Sequence, residues 1–376
     1  MSLVRNVLRR FDASPYPASA LNTVQVARGI AAFMVVLHHT IRALTIKSRA
    51  GKVTPWLIDN PKFYDTLAIG VDLFFVISGF IMVYVSSQYL FEKRPVSDFL
   101  SKRALRIYPT YLLVALALGT LVAVQAFLAG RPNFDLGIVR LIGDITLFPT
   151  FNKFGIVAPQ VGVGWTLSYE IYFYLIFAFC VFAFRRSFFL PLALIMIAVL
   201  IAATFLSPRL AIVAFFQNSI AFEFIFGCAI GLLVRRGMLC PAPIVMLVVA
   251  VSAIIVLPVA EFGDCFRFLT WGLPAALALY AVISLEIGGI IKSPPRALLF
   301  LGNASYSVYL THILAVNMVG TRIGQHLNAM GVSSVMMLFA ALAIAMIATV
   351  PGLLLYLVWE KPVAAVLSRA GRPRPA

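Results

Sequence analysis

The sequence predicts an all-α protein, a polytopic membrane helical bundle of about ten transmembrane helices. Three observations carry that expectation. Apolar residues come in blocks of about twenty, each long enough to cross a hydrocarbon core of about 30 Å as a helix. Only 12% of the 376 residues are charged and 62% are hydrophobic, with a mean hydropathy of +0.98, far from the composition of a soluble domain. The charges that remain cluster between the blocks. Every backbone polar group in lipid needs an internal partner, which leaves helices or closed barrels. Runs such as 190–206 lack the alternation of a barrel strand.

Taken in order, the spans fall near 22–46, 68–88, 107–130, 165–184, 188–206, 212–234, 242–260, 268–290, 297–319 and 333–358. The division into domains is correspondingly simple: a cytoplasmic segment 1–21, a membrane domain 22–362 and a basic cytoplasmic tail 363–376. No internal repeat suggests an inverted-repeat transporter. The first apolar block follows Arg5, Arg9 and Arg10, runs to about residue 46 and carries Arg28, His38 and His39, so it is read as an uncleaved first helix and not as a signal peptide.

Lysine and arginine set the orientation. With the N-terminus inside, about 19 of the 30 basic residues fall on the cytoplasmic side, and both termini are then cytoplasmic. The net charge of +16 is that of loops facing anionic lipid, so no nucleic-acid partner is expected. Of the four cysteines, Cys180 and Cys228 sit inside spans, while Cys240 and Cys265 lie in different loops, and no disulfide framework emerges. The longest outer loop, roughly 131–164, holds Pro132, Asn133, Pro149, Pro159, Gly162 and Gly164. It is too short for a catalytic domain and is either a lid or a plain connector.

Ionisable residues inside spans are costly, and function is their default reading. Arg28 and His39 are eleven residues apart, three turns plus about 20°, so they share a face about 16 Å apart along the axis. His38 points about 100° away. An arginine near the entry and a histidine deeper in suit an anionic donor whose reactive end threads into the membrane; the alternative is a snorkelling arginine and a packed histidine. Lys102, Arg103 and Arg106 precede the third span, with Arg103 and Arg106 on one helix face. Two guanidiniums so placed can hold phosphates by bidentate bonds, or serve as a positive-inside anchor. Asp72, beside an aromatic run, needs a partner and is a candidate to orient the imidazole or a substrate hydroxyl, against a structural bond to a helix end. Glu170, in the run Trp165-Thr166-Leu167-Ser168-Tyr169-Glu170, is a second candidate carboxylate, while Trp165 and Tyr169 are either sugar-stacking or interfacial aromatics. The run from Ser305 to His312 supplies hydroxyls and an imidazole for a polar cavity or for helix–helix bonding. Glu223 is a further buried carboxylate with no partner evident in sequence. There is no nucleotide-binding loop, metal-spaced His/Cys cluster or nucleophile elbow, so no metal is expected.

Six segments in order carry a family likeness: Arg28-Gly29-Ile30-Ala31-Ala32 with His39; Gly70-Val71-Asp72-Leu73-Phe74-Phe75-Val76-Ile77-Ser78-Gly79-Phe80; Arg103 with Arg106; Trp165 to Glu170; Leu301-Gly302-Asn303-Ala304-Ser305-Tyr306 continuing to His312; and Glu360-Lys361-Pro362. Together they resemble the acyltransferase 3 family over about residues 22–362, and within it the exopolysaccharide O-acetyltransferases. The resemblance implies a bacterial inner-membrane enzyme that moves an acyl group, usually acetyl from acetyl-CoA, to a carbohydrate hydroxyl. The acceptor is then a polysaccharide or its lipid-linked precursor, met among membrane lipid and polysaccharide-synthesis machinery. On that basis His39, Asp72 and Glu170 are expected to be catalytic, Arg28, Arg103 and Arg106 to hold the donor, and Trp165, Ser168, Tyr169, Tyr306 and His312 to contact the acceptor. His39 would act as general base, or form a transient acyl-imidazole. Two departures stand out. Ile171 follows Glu170 where the family often has a second acidic residue. The residues after 362 are too few for the esterase-like domain that some members carry, so the membrane domain is expected to act unaided or with a partner. A carrier exporting a glycan or lipid is the competing class; it would have no need of paired arginines beneath an in-line histidine.

Overall fold

The computed structural model describes residues 21–48, 61–86, 89, 95–128, 130, 137–259, 265–330 and 332–370. The N-terminal arginines, the tail beyond 370 and Pro132 and Asn133 lie outside the described residues. Among those described the fold is helical throughout, save one isolated antiparallel bridge between Phe151 and Val157. The described helices of eight or more residues are α1 (Asn22–Ser48), α2 (Ile69–Val85), α3 (Val96–Leu128), α4 (Ile138–Thr146), α5 (Trp165–Phe184), α6 (Phe189–Thr204), α7 (Phe222–Arg235), α8 (Pro243–Val256), α9 (Leu273–Ile287), α10 (Arg296–Asn303), α11 (Ser305–Ala315), α12 (Thr321–Ala329), α13 (Ser334–Leu355) and α14 (Lys361–Ala370).

Among the described residues, six helical stretches are long and apolar enough to cross a membrane: Asn22–Leu44, Thr66–Tyr84, Val96–Leu128, Gly162–Ser187, Phe268–Ile287 and Ser334–Leu367. A seventh arises if Arg296–Asn303 and Ser305–Gly324, which meet at 74°, form one broken span. The sequence led us to expect about ten, and the difference lies in three segments. Helix α6 has 16 residues, and α7 and α8 have 14 each, about 24 and 21 Å long. The expected span 212–234 is interrupted because the Gln217 amide donates back to Ala203 O and Leu206 O. Asn218 then starts a fresh turn by accepting from Ile220 N–H, the work of a short polar cap.

Aromatic packing forms the centre of the bundle. Phe173 stacks on Phe224 at 4.2 Å, and Phe75 meets Phe224 at 4.8 Å, joining α2, α5 and α7. Helices α2 and α7 touch backbone to backbone. A Cβ on Gly79 would lie 2.1 Å from Phe224 O, and one on Gly227 would lie 2.0 Å from Val76 O. Glu286 anchors the start of α1, accepting from the N–H groups of Asn22 and Thr23 at 2.9 and 3.0 Å, as a carboxylate at a helix N-terminus should. Wider i→i+5 turns interrupt the helices at Phe268–Gly272, Val316–Gly320 and Tyr356–Glu360. Such turns often mark functional positions, and the first holds Trp271, which lines a cavity described next.

Candidate active site

Helix α1 carries Arg28 near one end and His39 near the other, and each lines a different cavity. The first cavity, about 60 Å³, is lined by Arg28, Ser78, Arg106, Thr166, Glu170, Ser305, Tyr306 and Tyr309 with apolar residues of α2. The second, about 750 Å³, is lined by His38, His39, Arg42, Asp65, Trp165, Arg267 and Trp271, and by the loop residues Asn152, Ile156, Val157 and Ala158. Val71 and Tyr309 line both, so the two cavities share a wall. The small cavity, the neck, lies against the roomy one, the chamber.

Close backbone contact positions Arg28. A Cβ on Gly302 would meet Gln25 O at 1.9 Å, and one on Gly29 would meet Gly302 N at 2.9 Å. The break between α10 and α11 therefore lies directly against α1, and only glycine permits that approach. Arg28 Nη1 donates to Gln25 Oε1 at 3.2 Å. Glu170, on α5, accepts from Ser78 Oγ at 2.8 Å and from the Tyr174 hydroxyl. Glu360 accepts from Ser307 Oγ at 2.5 Å.

The expected arginine pair divides. Arg106 lines the first cavity. Arg103 lies over the rings of Phe99 and Tyr174 at 5.5 and 5.9 Å, a cation–π position behind the cavity wall. Lys102 pairs with Asp98 at 2.8 Å. Asp72 is fully buried and grips Arg267: Nε donates to Oδ1 at 2.9 Å and Nη2 to Oδ2 at 2.6 Å. Its expected role towards the imidazole is thus replaced by a bidentate pair, with the Arg267 guanidinium 4.8 Å from the Trp271 ring. The buried Glu223 lies against Gly272, and neither carboxylate oxygen has a hydrogen-bond partner among the described residues.

The histidines cluster. His39 lies 5.0 Å from His38 and 5.3 Å from His312, ring centre to ring centre. His38 Nδ1 is 3.0 Å from Tyr64 O, and His312 Nδ1 is 2.7 Å from Tyr309 O. A carbonyl only accepts, so both Nδ1 atoms carry a proton, and in the neutral rings each Nε2 holds a lone pair. His312 Nε2 is buried with no hydrogen-bond partner among the described residues.

Of the expected acceptor residues, Trp165 lines the chamber and Tyr306 the neck, where its hydroxyl donates to Ile107 O at 2.7 Å. Tyr169 does not reach either cavity: it is buried, stacks on Phe215 at 4.0 Å and donates to Phe215 O at 2.8 Å. Ser168 faces a separate small cleft beside Pro159 and Phe215. The loop of residues 147–163 forms one wall of the chamber and is pinned to α4. Arg140 donates to Phe151 O at 2.9 Å and Gln160 N–H to Asp144 Oδ1 at 2.8 Å. Burial raises the Asp144 carboxyl from its ordinary value, opposed by the Gln160 N–H and Arg140. Among the described residues no group of three His, Cys, Asp or Glu side chains is placed to hold a metal.

The sequence singles out no role for Arg267, Ser78 or Tyr174, whereas Ser305, in the run whose hydroxyls were expected to line a polar cavity or bond helices, does line one. Tyr174 carried a signal, lying four residues after Glu170 on the same helix face. Arg267 stands just before the apolar run 268–290, outside the spans expected from sequence.

Residues 21–357 match the family described as an acyltransferase domain, the acyltransferase 3 family. This chain belongs to that family. It is 33% identical over 312 residues to the exopolysaccharide production protein ExoZ of Rhizobium meliloti, covering 82% of this chain and 91% of the relative. It is also 25% identical over 342 residues to the acyltransferase MdmB of Streptomyces mycarofaciens, covering 82% of this chain and 83% of that protein. No solved structure matches. Family membership and the apolar helices together make the chain a membrane acyltransferase.

Proposed function

We propose that this acyltransferase moves an acetyl group from acetyl-CoA to a hydroxyl of an exopolysaccharide or its lipid-linked precursor. The observation that carries this reading is the pair of cavities sharing Val71 and Tyr309, the small one lined by Arg28 and Arg106 and the large one by His38, His39, Trp165 and Trp271 together with Arg42 and Arg267. The neck is too small for a nucleotide and suits a slender chain. Arg28 and Arg106 attract the donor's phosphates to its mouth, with Arg103 adding positive charge from behind. The donor arm then runs towards His39. Eleven residues of helix rise about 16 Å. The twelve bonds from diphosphate to sulfur span about 14 Å when extended.

His39 takes the proton of the acceptor hydroxyl, and the oxygen attacks the thioester carbon. The C–S bond breaks, the ester forms and the departing thiolate takes up a proton as free CoA. His312 steadies the His39 ring, and Trp165 and Trp271 offer aromatic faces to a sugar. Asp72 holds Arg267 at the chamber wall, while Glu170 fixes the neck through Ser78 and Tyr174. The relative's name, an exopolysaccharide production protein, supports a polysaccharide acceptor handled beside the machinery that makes it.

We further take α6, α7 and α8 as short spans, which with the other seven gives about ten, both termini cytoplasmic and a bacterial inner-membrane location. The test is transfer of labelled acetyl from acetyl-CoA to glycan by the purified protein in nanodiscs. Label appearing in glycan ester supports the enzyme. Glycan moved across proteoliposomes without any donor turnover would instead establish a carrier.

A further inference from the structure

The break between α10 and α11 opens a helix N-terminus onto the neck. Val308 N–H, bonded to Ala304 O at 3.0 Å, closes the first turn of α11. The N–H groups of Ser305 and Tyr306 belong to the turn that has no intrahelical acceptor, at the positive end of the helix dipole. A second, independent feature sits at the same place. Ser305 lines the neck, is 0% exposed, and its Oγ has no hydrogen-bond partner among the described residues. A buried hydroxyl without a partner costs about 1–3 kcal/mol, so a serine kept there calls for an acceptor supplied by a ligand. Arg28 lines the same neck, and Glu360 already takes Ser307 on the neighbouring side.

We propose that this helix end is a carbonyl-oxygen subsite, in which Ser305 Oγ–H and the N–H groups of the first turn of α11 hold an amide carbonyl of the acyl donor's arm. The subsite deepens the donor reading given above and rests on it. Distance selects the amide. Seven residues separate Ser305 from His312, about 10 Å along the axis, and His312 touches His39. The acceptor hydroxyl stands between the histidines and the thioester carbon and takes up about 4 Å. About 6 Å is left, the span of five extended bonds. In a cysteamine thioester, five bonds separate the thioester carbon from the nearest amide carbonyl carbon. Donors with an amide at that position are favoured over simple thioesters.

The test is steady-state kinetics of the full chain in nanodiscs with acetyl-CoA, then with S-acetyl-N-acetylcysteamine, which keeps the amide, and S-butyl thioacetate, which lacks it. Ser305→Ala is expected to raise KM for acetyl-CoA about tenfold, the loss of one ordinary hydrogen bond. It should also shrink the kcat/KM preference for the amide thioester over the butyl one by the same factor. Ser305→Cys, similar in size with a weak S–H donor, should fall between, and it carries the test if the alanine variant fails to fold. A KM within twofold of wild type, with an unchanged preference wherever the small thioesters are used, overturns the subsite. If neither acetyl-CoA nor the small thioesters are consumed by wild type, the donor reading itself falls and the subsite with it.

Discussion

The Asp72–Arg267 pair makes the sharpest stability prediction. Its side chains are 0% and 6% exposed, and the carboxylate accepts from two guanidinium nitrogens at 2.9 and 2.6 Å. Replacing Asp72 with Ala leaves Arg267 buried with its main counter-charge gone, and replacing Arg267 with Met does the same to Asp72. Breaking one side of such a pair costs about 3–5 kcal/mol. The Trp271 ring, 4.8 Å from the guanidinium, recovers up to about 2 kcal/mol of that for Asp72→Ala alone. Arg267→Met is therefore the more damaging single change. Removing both charges with Asp72→Ala and Arg267→Met should be milder than Arg267→Met alone, because no unpaired ion remains. The coupling energy is then about 3 kcal/mol. The assay is a double-mutant cycle by reversible SDS unfolding in mixed micelles. Single variants costing under about 1 kcal/mol, or costs that simply add, would refute the account of this pair.

Three further predictions follow from geometry. Gly302→Ala places a Cβ 1.9 Å from Gln25 O, an overlap that neither backbone can relieve by rotating a side chain; it should cost about 3 kcal/mol and lower acyl transfer, measured as melting temperature and turnover. Ser78 and Tyr174 both donate to Glu170 Oε1; Glu170→Gln removes the charge that strengthens both bonds, and KM for the donor should rise about tenfold. Arg140→Ala removes the bond to Phe151 O, so amides 151–157 should exchange hydrogen about tenfold faster, read by mass spectrometry.

Much of this architecture was legible in sequence because lipid imposes so simple a rule on composition. The long apolar blocks became α1, α2, α3, α5, α9 and α13. The short ones were ambiguous because their polar interruptions, Gln217 and Asn218 among them, bond locally and break the helix. Arg28 and His39 were legible as one helix face because helical arithmetic needs only their separation. Partners from distant helices were not. Nothing near Asp72 in sequence names Arg267, 195 residues away. Trp165, Tyr169 and Glu170 were all expected at the site, yet the structure sends Trp165 to the chamber, Glu170 to the neck and Tyr169 into packing against Phe215. Successive residues on a helix face different neighbours.

The most direct test of the central claim compares wild type with His39→Ala for acetyl transfer from acetyl-CoA, alongside CoA binding by the same preparations. The account predicts that CoA binding persists through Arg28 and Arg106 while transfer falls by a factor of about 100 to 10,000. Transfer at the wild-type rate by the variant would contradict it and remove His39 from the chemistry.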